Sequence, residues 1–317
     1  MAFYLRKLLR LAAVVFTVSA LTFLLVDLLP GDVAYEIGGS DASAEEIAAI
    51  RDDLGLNRNI AFRFGRWLAR AASGDLGVSH RSGEPVSQAI ASRMPVTLEL
   101  LFFSQLIALA LAVPAAIVSA YMAGRVVDRS IGSAGFATLS VPSYVMALLL
   151  IFVFALRLNW LPATGYTPIS EGIWSNLRGF VLPSLSIALI EWVPLMRVLR
   201  SDMIGTLQED YILVARAKGM PTWKILLKDA LKPSSLTLVT ILGLQIGHWI
   251  GAAVIIEMIY ALPGIGRLLV AAIFSRDFLM VQGCVLVITV AYVVVNSAVD
   301  LLYAVLDPRI RLEQQNG

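Results

Sequence analysis

Apolar positions along the chain run in six long blocks, at about 9–29, 97–122, 132–156, 181–200, 234–257 and 281–306. Each has the roughly 20 residues that a helix needs to cross a bilayer. Hydrocarbon offers the backbone no water, so a spanning segment satisfies its own hydrogen bonds as helix. The pattern predicts an all-α, polytopic membrane protein with six transmembrane helices.

Between the first two blocks the period changes. Ser43 and Glu46 form a capping box, Ile47, Ile50 and Leu54 follow at helical spacing, and Gly55 supplies a stop. Ile60, Phe64, Trp67, Leu68 and Ala71 make a second apolar stripe. Residues 31–96 thus predict a small folded cap. It is either a loop that packs on the spans or a docking surface for an external partner.

Composition agrees with the blocks. Hydrophobic residues make up 58% of the 317 and charged ones 15%, against about 45–50% and 25% in soluble domains. The single cysteine, Cys284, lies in an apolar run and reads as a small buried hydrophobe. A disulfide framework is excluded. Arg6, Lys7 and Arg10 before "LAAVVFTVSA" resemble a signal peptide. A cut after Ala20 would leave apolar "LTFLLV" outside, so the first block reads as an uncleaved anchor.

Charge then orients the blocks. With the N-terminus inside, the cytoplasmic segments hold 14 basic residues, including all five lysines. The two short outer loops hold four. This asymmetry predicts cytoplasmic N- and C-termini.

Four of those lysines fall in one stretch, "ARAKGMPTWKILLKDALKP", residues 215–233. Met203 to Arg216 reads as a continuation of the fourth span. Gly219 permits a turn at positive φ, and Pro221 suits a helix start. Residues 222–231 form a short amphipathic helix with Trp223, Leu226, Leu227 and Ala230 on one face, and Pro233 blocks its continuation into the fifth span. Two readings stand. The stretch is a basic loop on anionic lipid heads, or its apolar stripe fits a groove on a protein.

"DYILVARAKG" resembles the cytoplasmic "EAA" loop of ABC-importer permeases of the dipeptide, oligopeptide and nickel branch. "LLPGDVA", "LNWLPATGY", "EMIYALPGIGRLL" and "LLYAVLDPRIR" extend the resemblance in collinear order over nearly all of the chain. It departs at Leu213, Val214 and Ala215, where the general motif opens Glu-Ala-Ala; only Ala215 and Gly219 match. The resemblance implies a type I permease fold and one transmembrane permease domain over 1–317. Residues 31–96 become an external cap and 202–233 a cytoplasmic coupling loop. Ala215, Lys218, Gly219, Trp223, Leu226 and Leu227 become the residues that engage an ATPase. It implies as partners a homologous second permease subunit, two ATPase subunits or domains, an external solute-binding protein and membrane lipid, and no nucleic acid. No Gly-x-x-x-x-Gly-Lys-Ser/Thr phosphate loop occurs. The expectation is a non-catalytic subunit that binds no cofactor, with ATP and Mg²⁺ on the partner ATPases.

Polar groups within the blocks complete the reading, since charge at membrane depth is costly and often functional. Asp27, Glu99, Glu257 and Asp300 lie near span ends and read as structural, with Asp27 and Glu257 reached by water. Glu191 and His248 fall mid-span. They either bond each other inside the bundle or line a pathway for a cationic or zwitterionic substrate. Gly243, Gly247 and Gly251 form a small-residue packing face. Gln245, His248 and Ala252 project opposite it. One His and one Glu are too few for a metal site. The alternative function is an ion-coupled secondary transporter using Glu191 and His248.

Overall fold

The computed structural model describes residues 2–28, 42–54 and 57–306. Eleven helices of eight residues or more organise them: α1 (Ala2–Asp27), α2 (Ala44–Leu54), α3 (Ile60–Ala72), α4 (Val86–Tyr121), α5 (Val126–Leu139), α6 (Ser143–Leu150), α7 (Ile173–Thr206), α8 (Asp210–Ala217), α9 (Leu231–Ile259), α10 (Ile265–Phe274) and α11 (Phe278–Leu306). The described residues contain no strand beyond an isolated bridge between Val78 and Pro85. The protein is all-α, and the described residues of the apolar blocks are almost all on helical backbone.

Among the described residues, α4, α7 and the 278–299 part of α11 are each long and apolar enough to cross a membrane. Leu9–Leu25 of α1 and Trp249–Ile259 of α9 are also apolar helix. The third block is not the single helix expected. Val126–Leu139 and Ser143–Arg157 meet at 98° and pass the same test only as a broken pair. Pro142 explains the break. Its φ of −58° and ψ of 149° cap α6, and a proline disfavours helical backbone at the preceding Val141. Beyond α6 the helix widens into a π turn over Ile151–Arg157.

The chain divides into two compact units, residues 1–95 with 267–293, and residues 96–266 with 294–317. In the first, Ser43 and Glu46 make the expected reciprocal cap. The Ser43 N–H donates to the Glu46 carboxylate at 2.8 Å and the Glu46 N–H donates to Ser43 Oγ at 3.2 Å. The donated N–H holds the Glu46 carboxyl below its ordinary range. Gly55 lies outside the described residues. The second stripe forms α3, whose Trp67 is buried. Phe64 meets Phe16 and Phe23 of α1 edge-on, with ring centres 5.5 and 5.4 Å apart. This half of the cap therefore packs on the first span. Further along, buried Asp277 accepts from Ser79 and from the Met280 N–H at the start of α11.

The second unit holds two apolar clusters. One joins α4, α7 and α9 through Ala108, Ala112, Ala116, Leu195, Met196, Leu199 and Leu238. The other gathers Leu100, Ala147, Phe180, Leu182, Ile256 and Tyr260. Tyr260 ties three helices, since its hydroxyl bonds Ser186 at 2.9 Å and donates to the Ala147 carbonyl at 3.2 Å.

Glu257 corrects the water-accessible reading. It is fully buried, with Thr97 Oγ1 donating to its Oε1 at 2.6 Å. A Cβ on Gly264 or Gly266 would collide with its carboxyl group, so both glycines of "LPGIG" make the room it occupies.

Candidate functional site

Two places in the second unit carry the candidate residues, and the first is the loop after α7. The expected continuation of the fourth span is interrupted. α7 ends at Thr206, and α8 starts after Glu209, whose ψ of 147° is extended. α8 closes on a Schellman motif. The Met220 N–H donates to the Ala215 carbonyl at 3.1 Å and the Gly219 N–H to the Arg216 carbonyl at 2.9 Å. Gly219 has φ +72°, the left-handed conformation expected of it. A side chain there would be strained, although nothing stands within 4 Å of its Cβ position.

The motif also explains Ala215. It is buried with Ile212 and Ile225, and Leu207 and Met220 pack against them. This is a private apolar core for a loop of under twenty residues. Ala215 is small because Ile225 returns over it. Its placement here is internal to the loop. Leu226 and Ala230 are also drawn inward. They pack with the α4–α7 cluster, so the expected four-residue stripe divides. Trp223 and Leu227 face outward, at 65% and 51% exposure. Lys218, Lys224 and Lys228 are exposed beside them.

Backbone geometry sorts these residues. Pro221 caps a single helical turn, Thr222–Lys224, as expected. A π turn over Ile225–Ala230 follows and runs directly into α9. Pro233 therefore does not block the continuation. It lies in helical backbone that is continuous from Thr222, so its missing N–H leaves the carbonyl four residues back, that of Asp229, without the usual intrahelical donor. The wider π turn swings Leu226 and Ala230 away from Trp223 and Leu227.

Three more apolar side chains, Tyr211, Leu213 and Val214, are exposed on α8. Sequence marks Leu213 and Val214 only as the departure from Glu-Ala-Ala. The Tyr211 hydroxyl donates to the Asp229 carbonyl at 3.3 Å, tying α8 to the π turn.

The helix that delivers the loop is fixed by a clasp that charge counting concealed. Arg200 Nε and Nη2 each donate to Asp128 at 2.7 Å, one to each carboxylate oxygen. Ser119 Oγ donates to the same carboxylate and accepts from Arg200 Nε at 3.0 Å. Such planar, bidentate pairs are the strong ones. The clasp joins α4, α5 and α7 one and a half turns before the loop.

The second place is a cavity of about 480 Å³. Leu139, Val141, Pro142, Ile187, Ile190 and Ile255 wall it, with Ser143, Glu191, Gly251 and Ala252. The break at Pro142 contributes to its wall. Glu191 is 4% exposed, and Trp249 Nε1 donates to its Oε2 at 3.0 Å. The expected His248 partner cannot be placed, because that side chain lies outside the described residues. Gln245 is partly buried and does not line the cavity. Ala252 does, as expected. The small-residue face divides. A Cβ on Gly243 would collide with Val299, so that glycine packs tightly. Gly251 meets nothing within 4 Å and opens into the cavity.

Residues 112–312 match the family model for the binding-protein-dependent transport system inner membrane component. Residues 1–101 match that family's N-terminal model. The chain belongs to this family. It is a multi-pass inner-membrane permease subunit of an ABC importer. A Brucella abortus protein named as a peptide transport system permease is 38% identical over 98% of this chain and 99% of its own length. The glutathione transport system permease of Escherichia coli K12 is 35% identical over 98% of each chain. A Sinorhizobium fredii protein named as a peptide ABC transporter permease is 34% identical over 98% of this chain and 99% of its own.

Proposed function

We propose that this permease forms part of the translocation pathway for peptides or a similar small solute. In this reading the 215–233 segment couples it to separate ATPase subunits. The outward pair Trp223 and Leu227, flanked by lysines on a loop braced by its own core, carries the proposal. An apolar anchor on a rigid support is what helix-in-groove recognition uses. The names of the peptide and glutathione relatives support the solute class.

The remaining assignments follow from this arrangement. The 202–233 loop and both termini face the cytoplasm, in keeping with the lysine distribution, and the 31–96 cap faces outward. The working complex holds a second, related permease, two ATPase subunits or domains and an external solute-binding protein. ATP and Mg²⁺ sit on the ATPases, and this chain hydrolyses nothing. ATP closure of the ATPases drives alternating access by rocking the helices around the cavity.

Reconstitution of the complete complex in liposomes tests this, with the solute carried by its binding protein identified by mass spectrometry. The expected uptake requires ATP and survives ionophores. Uptake that persists without the ATPases and collapses with an ion gradient would instead establish the secondary-transporter reading. ATP-saturable hydrolysis by the isolated chain would contradict the division of labour.

A further inference from the structure

We infer that α3 lies in the membrane interface as an amphipathic helix, with its arginines on the headgroups of anionic phospholipid. The leaflet, the outer one, rests on the outward placement of the cap proposed above. Depth decides the matter. The apolar helix of α1 runs Leu9–Leu25, and Phe16 stands near its middle. Phe64 of α3 meets Phe16 and Phe23 at once, with ring centres 5.5 and 5.4 Å apart. Leu25 lies about 13 Å beyond Phe16 at the rise of an α-helix. α3 is therefore set beside the second half of this apolar run and not above its end. Phe23 and Trp67, with ring centres 6.2 Å apart, are buried in the same contact.

The rest of α3 fits a lipid surface. Ala61, Gly65 and Ala69, at successive i+4 positions, make an exposed strip of small groups, and Phe62 beside it is 50% exposed. On α1, Phe16, Leu21 and Leu25 are exposed as well, so the apolar surface continues from the span onto the cap helix. Arginines edge it. The guanidinium groups of Arg58 and Arg66 stand 5.1 and 4.9 Å from the centre of the Phe62 ring, and that of Arg63 stands 5.7 Å from the Phe23 ring. Between Asp53 and Asp75 the sequence holds four arginines and no acidic residue. Arg70, the fourth, pairs with Asp75 at 3.6 Å. A guanidinium stacked on a ring keeps the donors at its rim, and their fork matches the oxygens of a phosphodiester. The long arginine stem carries that charge from a helix at acyl depth up to the headgroups. An apolar strip with a basic edge is how a helix is held at an anionic bilayer surface. A soluble partner approaches from above the membrane and does not reach the level of Phe16.

Photocrosslinking separates the two occupants. The assembled importer, carrying Phe62→p-benzoylphenylalanine, is held in nanodiscs of phosphatidylcholine with a minor share of phosphatidylglycerol. It is irradiated with its solute-binding protein present, and mass spectrometry identifies the adducts. Phospholipid adducts are expected, with phosphatidylglycerol enriched about fivefold over its share of the bilayer, the weight of one arginine at an anionic surface. Arg58→Gln with Arg66→Gln should return that share to the bilayer's own. Adducts confined to the binding protein, or to the permease itself, overturn the interfacial placement. An enrichment unchanged by the two arginine substitutions overturns the headgroup contact. The leaflet is read independently of both. Ser82→Cys, with Cys284→Ala, should react with a membrane-impermeant thiol reagent in spheroplasts. No reaction there overturns the outer leaflet and the outward cap, while the lipid adducts in nanodiscs still decide whether α3 lies in the interface.

Discussion

The 207–225 loop and the Glu191 cavity both interrupt apolar helices, and they do so by opposite means. The loop turns its charges outward and buries Ile212, Ala215 and Ile225 into a small core of its own. The cavity turns a charge inward and leaves the space around it unfilled. The first arrangement makes a braced surface. The second makes room. Bracing differs correspondingly. The loop is held by contacts within itself and by the Arg200–Asp128 clasp at its root. The cavity is held by α5, α6, α7 and α9, helices that approach one another from distant parts of the chain.

The clasp should show the largest effect on stability. Arg200→Ala leaves the Asp128 carboxylate without its bidentate partner. A loss of about 2–4 kcal/mol is expected, below the extreme for fully buried pairs because Arg200 is partly solvated. Thermal unfolding of the detergent-solubilised complex measures it. The double variant Arg200→Met with Asp128→Leu should lose less than Arg200→Ala alone. An equal or greater loss would mean that the pair itself, and not the abandoned charge, governs the joint.

Overfilling the loop core comes next. Ala215→Leu forces three extra carbons, two of them methyl groups, into the core beside Ile225, at a cost of about 1–3 kcal/mol typical of overpacking. The damage should stay local. Hydrogen exchange over residues 207–225 should accelerate while the cavity helices keep their protection. Acceleration across α7 and α9 as well would erase the distinction between the two regions.

Smaller effects belong to backbone conformation. Gly219→Val places a β-branched residue at φ +72°, which costs about 1–2 kcal/mol. Gly219→Asp should cost less, because Asp visits the left-handed region more readily. A loss equal to that of Gly219→Val would remove the strain argument. The reverse change is available at Ala261, which holds φ +56° after α9. Ala261→Gly should raise stability by up to about 1 kcal/mol. No gain there would show that the position is not strained.

Legibility from sequence followed the range of the contacts. The loop was largely readable because its determinants are neighbours. Gly219 terminates a helix four residues after Ala215, and Pro221 opens the next turn. The capping box at Ser43 and Glu46 was readable for the same reason. What failed was rotation. A 100° wheel puts Leu226 and Ala230 on one stripe with Trp223 and Leu227, and the π turn over Ile225–Ala230 swings the first pair away from the second. Nothing local announces a π turn, which follows from how Leu226 and Ala230 meet α4 and α7. The cavity was half readable. Mid-span Glu191 flagged it, yet its Trp249 partner lies 58 residues away and Gly251 looked like a packing glycine. Arg200 and Asp128 were counted separately, one as a topological charge and the other not at all. Their pairing spans 72 residues. The break at Pro142 was visible as a proline, but the apolar run around it concealed the bend.

Affinity of the ATPase subunits for permease carrying Trp223→Ala is the most direct test of the coupling claim. Trp223 is 65% exposed and belongs to neither apolar cluster of its unit. Its removal should therefore leave thermal stability within about 0.5 kcal/mol of the parent. If it anchors the ATPase groove, truncation should cost about 2 kcal/mol or more of binding, roughly thirtyfold in Kd. Titration of purified ATPase onto nanodisc-held permease, paired with its sister subunit, reads that number. A Kd at least thirtyfold weaker at unchanged stability is the predicted result. An unchanged Kd for both Trp223→Ala and Leu227→Ala would contradict the account and leave residues 215–233 as a basic loop on lipid.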